Sequence, residues 1–357
     1  MDLRELIRLS NKYGSSPDLI LAGGGNTSVK DADTLYIKCS GVSLKTIDAQ
    51  GFVPVSRALL SFTLTKQYPE DDTGREAAFL EDVMAARVLP GETRRPSVEA
   101  MLHSLFEQRY VVHLHPALVN GLTCATQGKA RMTQLFGESA VWVPATRPGL
   151  MLGRLCHSIM SEYKTRTGKD VQLAFMENHG VFVAADTPEE ADAILENVLG
   201  TLKAALTSHP DADFVQTPPP GMAESVKLAV GSAHQAFRSS PQILEYLQNR
   251  EAANDLMAPF TPDQIVYCGP KHLYVAGVAQ INPGETMGKI IFVEKTGVFA
   301  MGQTEKEAEL AMLLFLDAFK IAVYAQSFGG PQPLSDELIQ FIAYWEAESY
   351  RQKEAKK

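Results

Sequence analysis

The sequence lacks the features that mark several broad classes of protein. Its four cysteines, Cys39, Cys124, Cys156 and Cys268, are scattered over 357 residues with no Cys-x-x-Cys pair. This excludes a disulfide-stapled scaffold and a thiolate metal site. No apolar run approaches the roughly 20 residues of a membrane-spanning helix. The opening Met1-Asp2-Leu3-Arg4-Glu5 is a charged helix start without the basic-then-apolar pattern of a signal peptide. Long basic runs and RNA-type aromatic motifs are missing, and 33 Lys+Arg stand against 42 Asp+Glu for a net charge of −9. Neither a membrane nor nucleic acid is the expected partner, and the expected compartment is the cytoplasm.

The chain does have ample material for a core, with 45% hydrophobic and 21% charged residues. Its length exceeds the about 150 residues a single domain usually needs, which predicts two domains or a duplication. The apolar spacing predicts helices over residues 3–13, closed by Gly14 as a left-handed cap, and over 76–88 and 98–106. Strands are predicted in Thr34-Leu35-Tyr36-Ile37-Lys38 and in the run Tyr110 to His115, with Gly23-Gly24-Gly25-Asn26-Thr27-Ser28 as a small-residue loop. Two apolar runs flank Glu177-Asn178-His179-Gly180, as in a hairpin. Thr187-Pro188-Glu189-Glu190 then has the side chains of a capping box and starts a long amphipathic helix.

That hairpin and cap recur. Residues 177–191 and 294–308, a constant offset of 117, share Glu, Gly, Val, Phe, Thr, Glu and Ala at seven of fifteen positions without a gap. The order of turn, cap and helix is the same in both, which favours duplication. The prolines 210, 218, 219 and 220 mark a connection between the copies. The expected domains are therefore 1–209, a linker 210–221, and 222–357. The second copy has Thr296 where the first has His179.

His113-Leu114-His115 carries the clearest chemistry. Residues i and i+2 of a strand point to one face, so two imidazoles can meet one metal ion. His179 on a turn supplies a third imidazole, and three His ligands with one further position is a common catalytic arrangement for a divalent metal. Glu99, near a helix start, has an electrostatic reason to be there and is also placed to act as a general base. The other five histidines, His103 among them, have the context of structural or surface residues. The glycine loop matches neither the dinucleotide fingerprint nor the phosphate-loop motif. Asn26, Thr27, Ser28, Ser40, Gly41 and Ser97 still offer amides and hydroxyls suited to an anion.

In combination these motifs resemble the class II aldolase/adducin family. Gly25-Asn26-Thr27-Ser28-Val29-Lys30, Ser40-Gly41, Pro96-Ser97-Val98-Glu99, His113-Leu114-His115 and Asn178-His179-Gly180 follow in that family's order. The resemblance implies a three-layer α/β/α fold with a mostly antiparallel central sheet, with the C-terminal copy as a degenerate partial repeat lacking metal ligands. It implies Zn²⁺, or another divalent ion such as Mn²⁺ or Co²⁺, on His113, His115 and His179, with Glu99 as catalytic acid/base. It places a sugar phosphate against Asn26, Thr27, Ser40, Gly41 and Ser97, where Val98 replaces a second serine often found in the family. The implied reaction is cleavage of a ketose 1-phosphate of the rhamnulose or fuculose type to dihydroxyacetone phosphate and an aldehyde, through an enediolate stabilised by the metal. A family tyrosine that protonates the aldehyde fragment has no assigned counterpart here. Epimerisation or decarboxylation of a sugar phosphate on the same site, or an adducin-like binding role, are the alternatives. A homo-oligomer, a tetramer in many relatives, is expected.

Pro259-Phe260-Thr261-Pro262-Asp263, the second hairpin, and Pro333-Leu334-Ser335-Asp336 through Tyr344-Trp345-Glu346 further resemble the aldolase portion of bifunctional rhamnulose-1-phosphate aldolase/alcohol dehydrogenase proteins. In those a dinucleotide-binding domain follows. The sequence given ends at Lys357, so the aldolase half standing alone is the expectation.

Overall fold

The structure, a computed structural model, describes residues 1–281 and 288–345. Glu346 and the segment 351–357 lie outside the described residues. The chain divides into two compact units: Met1–Val119 with Lys129–Ala204, and Asn120–Gly128 with the residues from Ala205 on.

The first unit is built on seven strands: β1 (Asn26–Lys30), β2 (Thr34–Lys38), β3 (Phe52–Ser56), β4 (Tyr110–Leu114), β5 (Val141–Val143), β6 (Leu173–Met176) and β7 (Gly180–Ala185). They lie in the order β3-β2-β1-β4-β7-β6-β5, antiparallel throughout except for the parallel pair β5 and β6. The strands are buried on both faces, so helices must cover each side. On one side Arg4–Gly14 and Pro188–Ala204 pack against β1, β4 and β7, tied to each other where Tyr13 Oη donates to Asp192 Oδ1 at 2.6 Å. On the other, Leu102, Leu152 and Cys156 of the helices Ala100–Leu105 and Leu150–Thr167 pack on Val111, Phe182 and Ala184. Towards β2 and β3, Leu60, Phe79 and Val83 of the helices Arg57–Thr63 and Asp72–Ala85 cover Leu35, Ile37, Val53 and Val55. This is the expected three-layer α/β/α fold with a mostly antiparallel sheet.

Some local expectations shift. Gly14 does not cap in the left-handed region: it lies inside the first helix, and Ser15 beyond it has φ −84°. A Cβ at position 14 would stand 2.2 Å from Lys45 N, so the glycine is required by the close approach of that segment. The helix expected over 76–88 spans Asp72–Ala85, because Asp71 accepts a hydrogen bond from Gly74 N at 2.7 Å and caps it earlier. The cap expected at Thr187 forms, with the return bond from Glu190 displaced by one residue to Asp186. Thr187 Oγ1 accepts from Glu190 N at 3.1 Å, and Glu190 Oε2 accepts from Asp186 N at 3.1 Å.

The second unit carries β8 (His234–Arg238), β9 (Leu273–Val275), β10 (Ile290–Val293) and β11 (Gly297–Gly302), ordered β8-β11-β10-β9. This reproduces β4-β7-β6-β5 of the first unit: two antiparallel pairings followed by one parallel pairing, in the same sequence. The agreement extends to single hydrogen bonds at the offset of 117. His179 N donates to Met176 O and Thr296 N to Val293 O, both at 3.1 Å. Ala184 N donates to Gln172 O at 2.7 Å, and Met301 N to Lys289 O at 2.8 Å. Asn178 and Lys295 both have positive φ, +56° and +52°. Thr304 caps the helix Glu305–Ala325 through Glu307 N, as Thr187 does for Pro188–Ala204. The C-terminal region is thus a partial repeat of the same fold. Within the proline-rich stretch, Val215 exchanges both backbone hydrogen bonds with Ser239, at 2.8 and 3.0 Å. Among the described residues no helix is long and apolar enough to cross a membrane.

Candidate active site

The register of the first sheet assembles the site. Asn26 on β1 stands opposite His113 on β4, and His113 stands opposite Phe182 on β7, so the three lie in one row across the sheet. His113 is fully buried, its ring stacked on Phe182 with centroids 4.0 Å apart. Its Nδ1–H donates to Val181 O at 3.0 Å, which leaves the lone pair on Nε2. His115, one residue past the end of β4, brings its Nε2 to 2.9 Å from that atom. His179, on the turn between β6 and β7, brings its Nε2 to 3.4 Å. The three ligand atoms lie within 4.8 Å of one another, and the two rings other than His113 are partly exposed.

Gly180 makes this convergence possible. A Cβ there would sit 2.3 Å from Leu114 O and 2.8 Å from His115 Cδ2. We therefore expect Gly180→Ala to lower stability by about 1–3 kcal/mol through overpacking. A denaturant midpoint equal to that of the parent would refute this close approach.

Glu99 completes the cluster. It immediately precedes the helix Ala100–Leu105, yet its side chain does not cap that helix. Instead Oε1 turns to the imidazoles, 3.3 Å from His113 Nε2 and 3.6 Å from His179 Nε2. Oε2 accepts from Asn26 Nδ2 at 2.6 Å. Burial alone would raise the Glu99 carboxyl, but the imidazoles of His113 and His179 and the Asn26 amide outweigh it and hold the group well below the usual carboxylate range. Oε1 is a buried oxygen with no hydrogen-bond partner among the described residues. A buried carboxylate oxygen beside three converging imidazoles is a donor set whose chemistry fits a divalent cation.

The expected anion-binding residues do not all come together. Asn26 Nδ2 also donates to Ser97 Oγ at 3.2 Å, and Ser97 Oγ accepts from Glu99 N at 3.3 Å. Ser40 N donates to Arg95 O and Ser97 N to Lys38 O, so residues 38–40 run beside 95–97 and bring Ser40 and Gly41 to the same edge. Thr27 lies on the opposite face of β1, where its Oγ1 shares a 2.6 Å hydrogen bond with Ser10 Oγ. His103, given a structural role from the sequence, is joined to the site: its Nε2 contacts Asn26 Oδ1 and its Nδ1 lies 2.7 Å from Ser28 Oγ. Burial pushes its imidazole well below the usual range and so favours the neutral ring. The signal available in the sequence was its spacing of four from Glu99, one helical turn on the same face.

Residues 4–206 match the family described as Class II Aldolase and Adducin N-terminal domain, and the chain belongs to that family. It is 27% identical over 197 residues to the Uncharacterized oxidoreductase YuxG of Bacillus subtilis (strain 168), a match covering 52% of this chain and 27% of that protein. The chain thus spans only about a quarter of the length of that relative. Among solved structures, it is 27% identical to the N-terminal class II aldolase domain of a conserved protein from Thermoplasma acidophilum. That match covers 57% of this chain and 93% of the other, with a TM-score of 0.48. An L-fuculose 1-phosphate aldolase matches at 19% identity, covering 57% and 86% of the two chains, with a TM-score of 0.38.

Proposed function

We propose that the protein is a metal-dependent aldolase that cleaves a ketose 1-phosphate of the rhamnulose or fuculose type to dihydroxyacetone phosphate and an aldehyde. The observation that carries this reading is the convergence of the imidazoles of His113, His115 and His179, with the buried Oε1 of Glu99 facing His113 and His179. Those histidines would hold the cation, and Zn²⁺ suits three neutral imidazoles with a further position open. A divalent cation supplies Lewis-acid polarisation of a carbonyl and its adjacent hydroxyl. Glu99 would move the proton on the three-carbon fragment: the hydroxyl on carbon 4 gives up its proton and becomes the aldehyde as the bond between carbons 3 and 4 breaks, that bond's electron pair stays with the ketone-bearing fragment, and one proton is delivered to carbon 3, so that no proton is gained or lost overall. Asn26 holds Glu99 in place for this transfer.

The phosphate would be received by Ser97, Ser40 and Gly41. Ser97 Oγ accepts two hydrogen bonds, from Asn26 Nδ2 and Glu99 N, and so has its own proton left to donate to an anion. Asn26, with its amide engaged by Ser97 and Glu99, would act on the anion only through these partners, and Thr27 has no part in this reading. Val98→Ser is expected to lower KM for the phosphate ester by about 10-fold, the worth of one more hydrogen bond to a charged group. An unchanged KM would remove position 98 from the anion site.

The relation to YuxG supports reading the chain as the counterpart of the aldolase portion of a bifunctional aldolase/dehydrogenase protein. A cytoplasmic setting and a homo-oligomer, a tetramer by resemblance to the family, belong to the same proposal. The test is a retro-aldol screen of ketose 1-phosphates with metal analysis on the same sample. One divalent ion per chain with aldehyde release is the expected outcome, and chelation should abolish it. Metal-loaded protein that is silent across the panel, or that releases CO₂ or an epimer instead, would overturn the aldolase assignment.

A further inference from the structure

One face of β1 is unusually polar for a central strand. Asn26, Ser28 and Lys30, at alternate positions, are 5%, 0% and 4% exposed, and all three engage the segment Ser97–His103. Asn26 Nδ2 donates to Ser97 Oγ and Glu99 Oε2, Ser28 Oγ meets His103 Nδ1 at 2.7 Å, and Lys30 Nζ donates to His103 O at 3.1 Å. The strand thus holds the short helix at its start, through Ser97 and Glu99, and again one turn on, through His103.

The directions of these bonds are fixed by what each atom can do. Glu99 Oε2 is an acceptor, so the Asn26 amide must present its NH₂ there and its carbonyl oxygen to His103. His103 Nε2 must then carry the proton, and Nδ1 must accept from the Ser28 hydroxyl. A flipped amide would set Asn26 Oδ1 against the carboxylate at 2.6 Å, with no hydrogen between them. We infer that His103 is a positioning residue for the active site: acting through Asn26, the relay Ser28–His103–Asn26 decides which oxygen of Glu99 is held and which faces the three metal-ligating histidines. The inference rests on the reading of Glu99 as the acid/base, but its first test does not.

Two measurements decide it, on the full chain. The first is the ¹⁵N spectrum of the imidazoles in His-labelled protein, with the His103 signal identified by its loss in His103→Gln. We expect a neutral ring protonated at Nε2. A ring protonated at Nδ1, or an imidazolium, would overturn the relay whether or not the protein turns over any sugar phosphate. The second compares His103→Leu with His103→Gln, whose amide NH₂ can reach the place of Nε2–H. The leucine variant should lose about 100-fold in kcat, as expected for a misplaced catalytic group, at unchanged KM and metal content. The glutamine variant should recover most of that loss. Equal losses in both, or none in either, would overturn the assignment. Should the leucine variant not fold, the spectrum and the glutamine variant still decide between relay and packing. An inactive parent with the expected tautomer would count against the aldolase reading and leave the relay standing.

Discussion

Glu99→Gln is expected to retain the metal and lose turnover by about 10³-fold, within the range that a positioned acid/base supplies. The substitution keeps the shape, and its carbonyl oxygen can still accept from Asn26 Nδ2, which now holds Glu99 Oε2 at 2.6 Å. What it removes is the atom that can take and return a proton beside the imidazoles, 3.3 Å from His113 Nε2. KM should change little, because the proposed phosphate contacts rest on other groups, so the loss should appear in kcat. The competing account, a carboxylate favoured at a helix start, is worth only about 0.3–1 kcal/mol and predicts a change in stability with no change in rate. That account already fits poorly, since the side chain turns from its helix to the histidines. A variant with kcat within tenfold of the parent would take Glu99 out of the chemistry.

The parts of this site legible in the sequence are those set by local periodicity. His113 and His115 share a face because a strand repeats every two residues, and Asn178-His179-Gly180 marks a turn because positive φ and close approach select small or polar residues there. Thr27 shows where the same rule went unused. Adjacent residues of a strand cannot share a face, and Asn26 and Thr27 are adjacent; the glycines before them gave the stretch the look of a loop, whereas β1 begins at Asn26. His103 was missed for a different reason. Its partners Asn26 and Ser28 lie 77 and 75 residues away, and only the pairing of β1 with β4 brings that strand beneath the helix. The repeat divides in the same way. The β10–β11 hairpin and its helix cap were visible because they are contiguous, while β8 and β9 have little likeness in sequence to β4 and β5 and emerge as counterparts only through sheet order.

That sheet order supplies a control for the proposed metal site. Phe299 is the counterpart of Phe182, and its partner Phe237 therefore takes the place of His113, with Ser239 at the place of His115 and Thr296 at that of His179. The second turn keeps the backbone of the first, with Lys295 at φ +52° against Asn178 at +56°, and Thr296 Oγ1 satisfies itself by donating to Glu294 O at 3.0 Å. Threonine is thus compatible with this turn, and His179→Thr should fold with stability within about 1 kcal/mol of the parent, as for a partly exposed turn position. The same change should lower metal affinity by more than the 10–100-fold or so that loss of an outer partner costs, because it removes a ligand itself. Turnover should fall with it and return only in part at high metal concentration. Full metal occupancy at micromolar ion would mean that the three histidines are not the site. The converse substitution, Thr296→His, should create no metal site in the second unit, since Phe237 and Ser239 offer neither of the other two imidazoles. One metal per chain, lost through a single turn residue and not regained by its mirror change, is the outcome that separates a degenerate repeat from a second working copy.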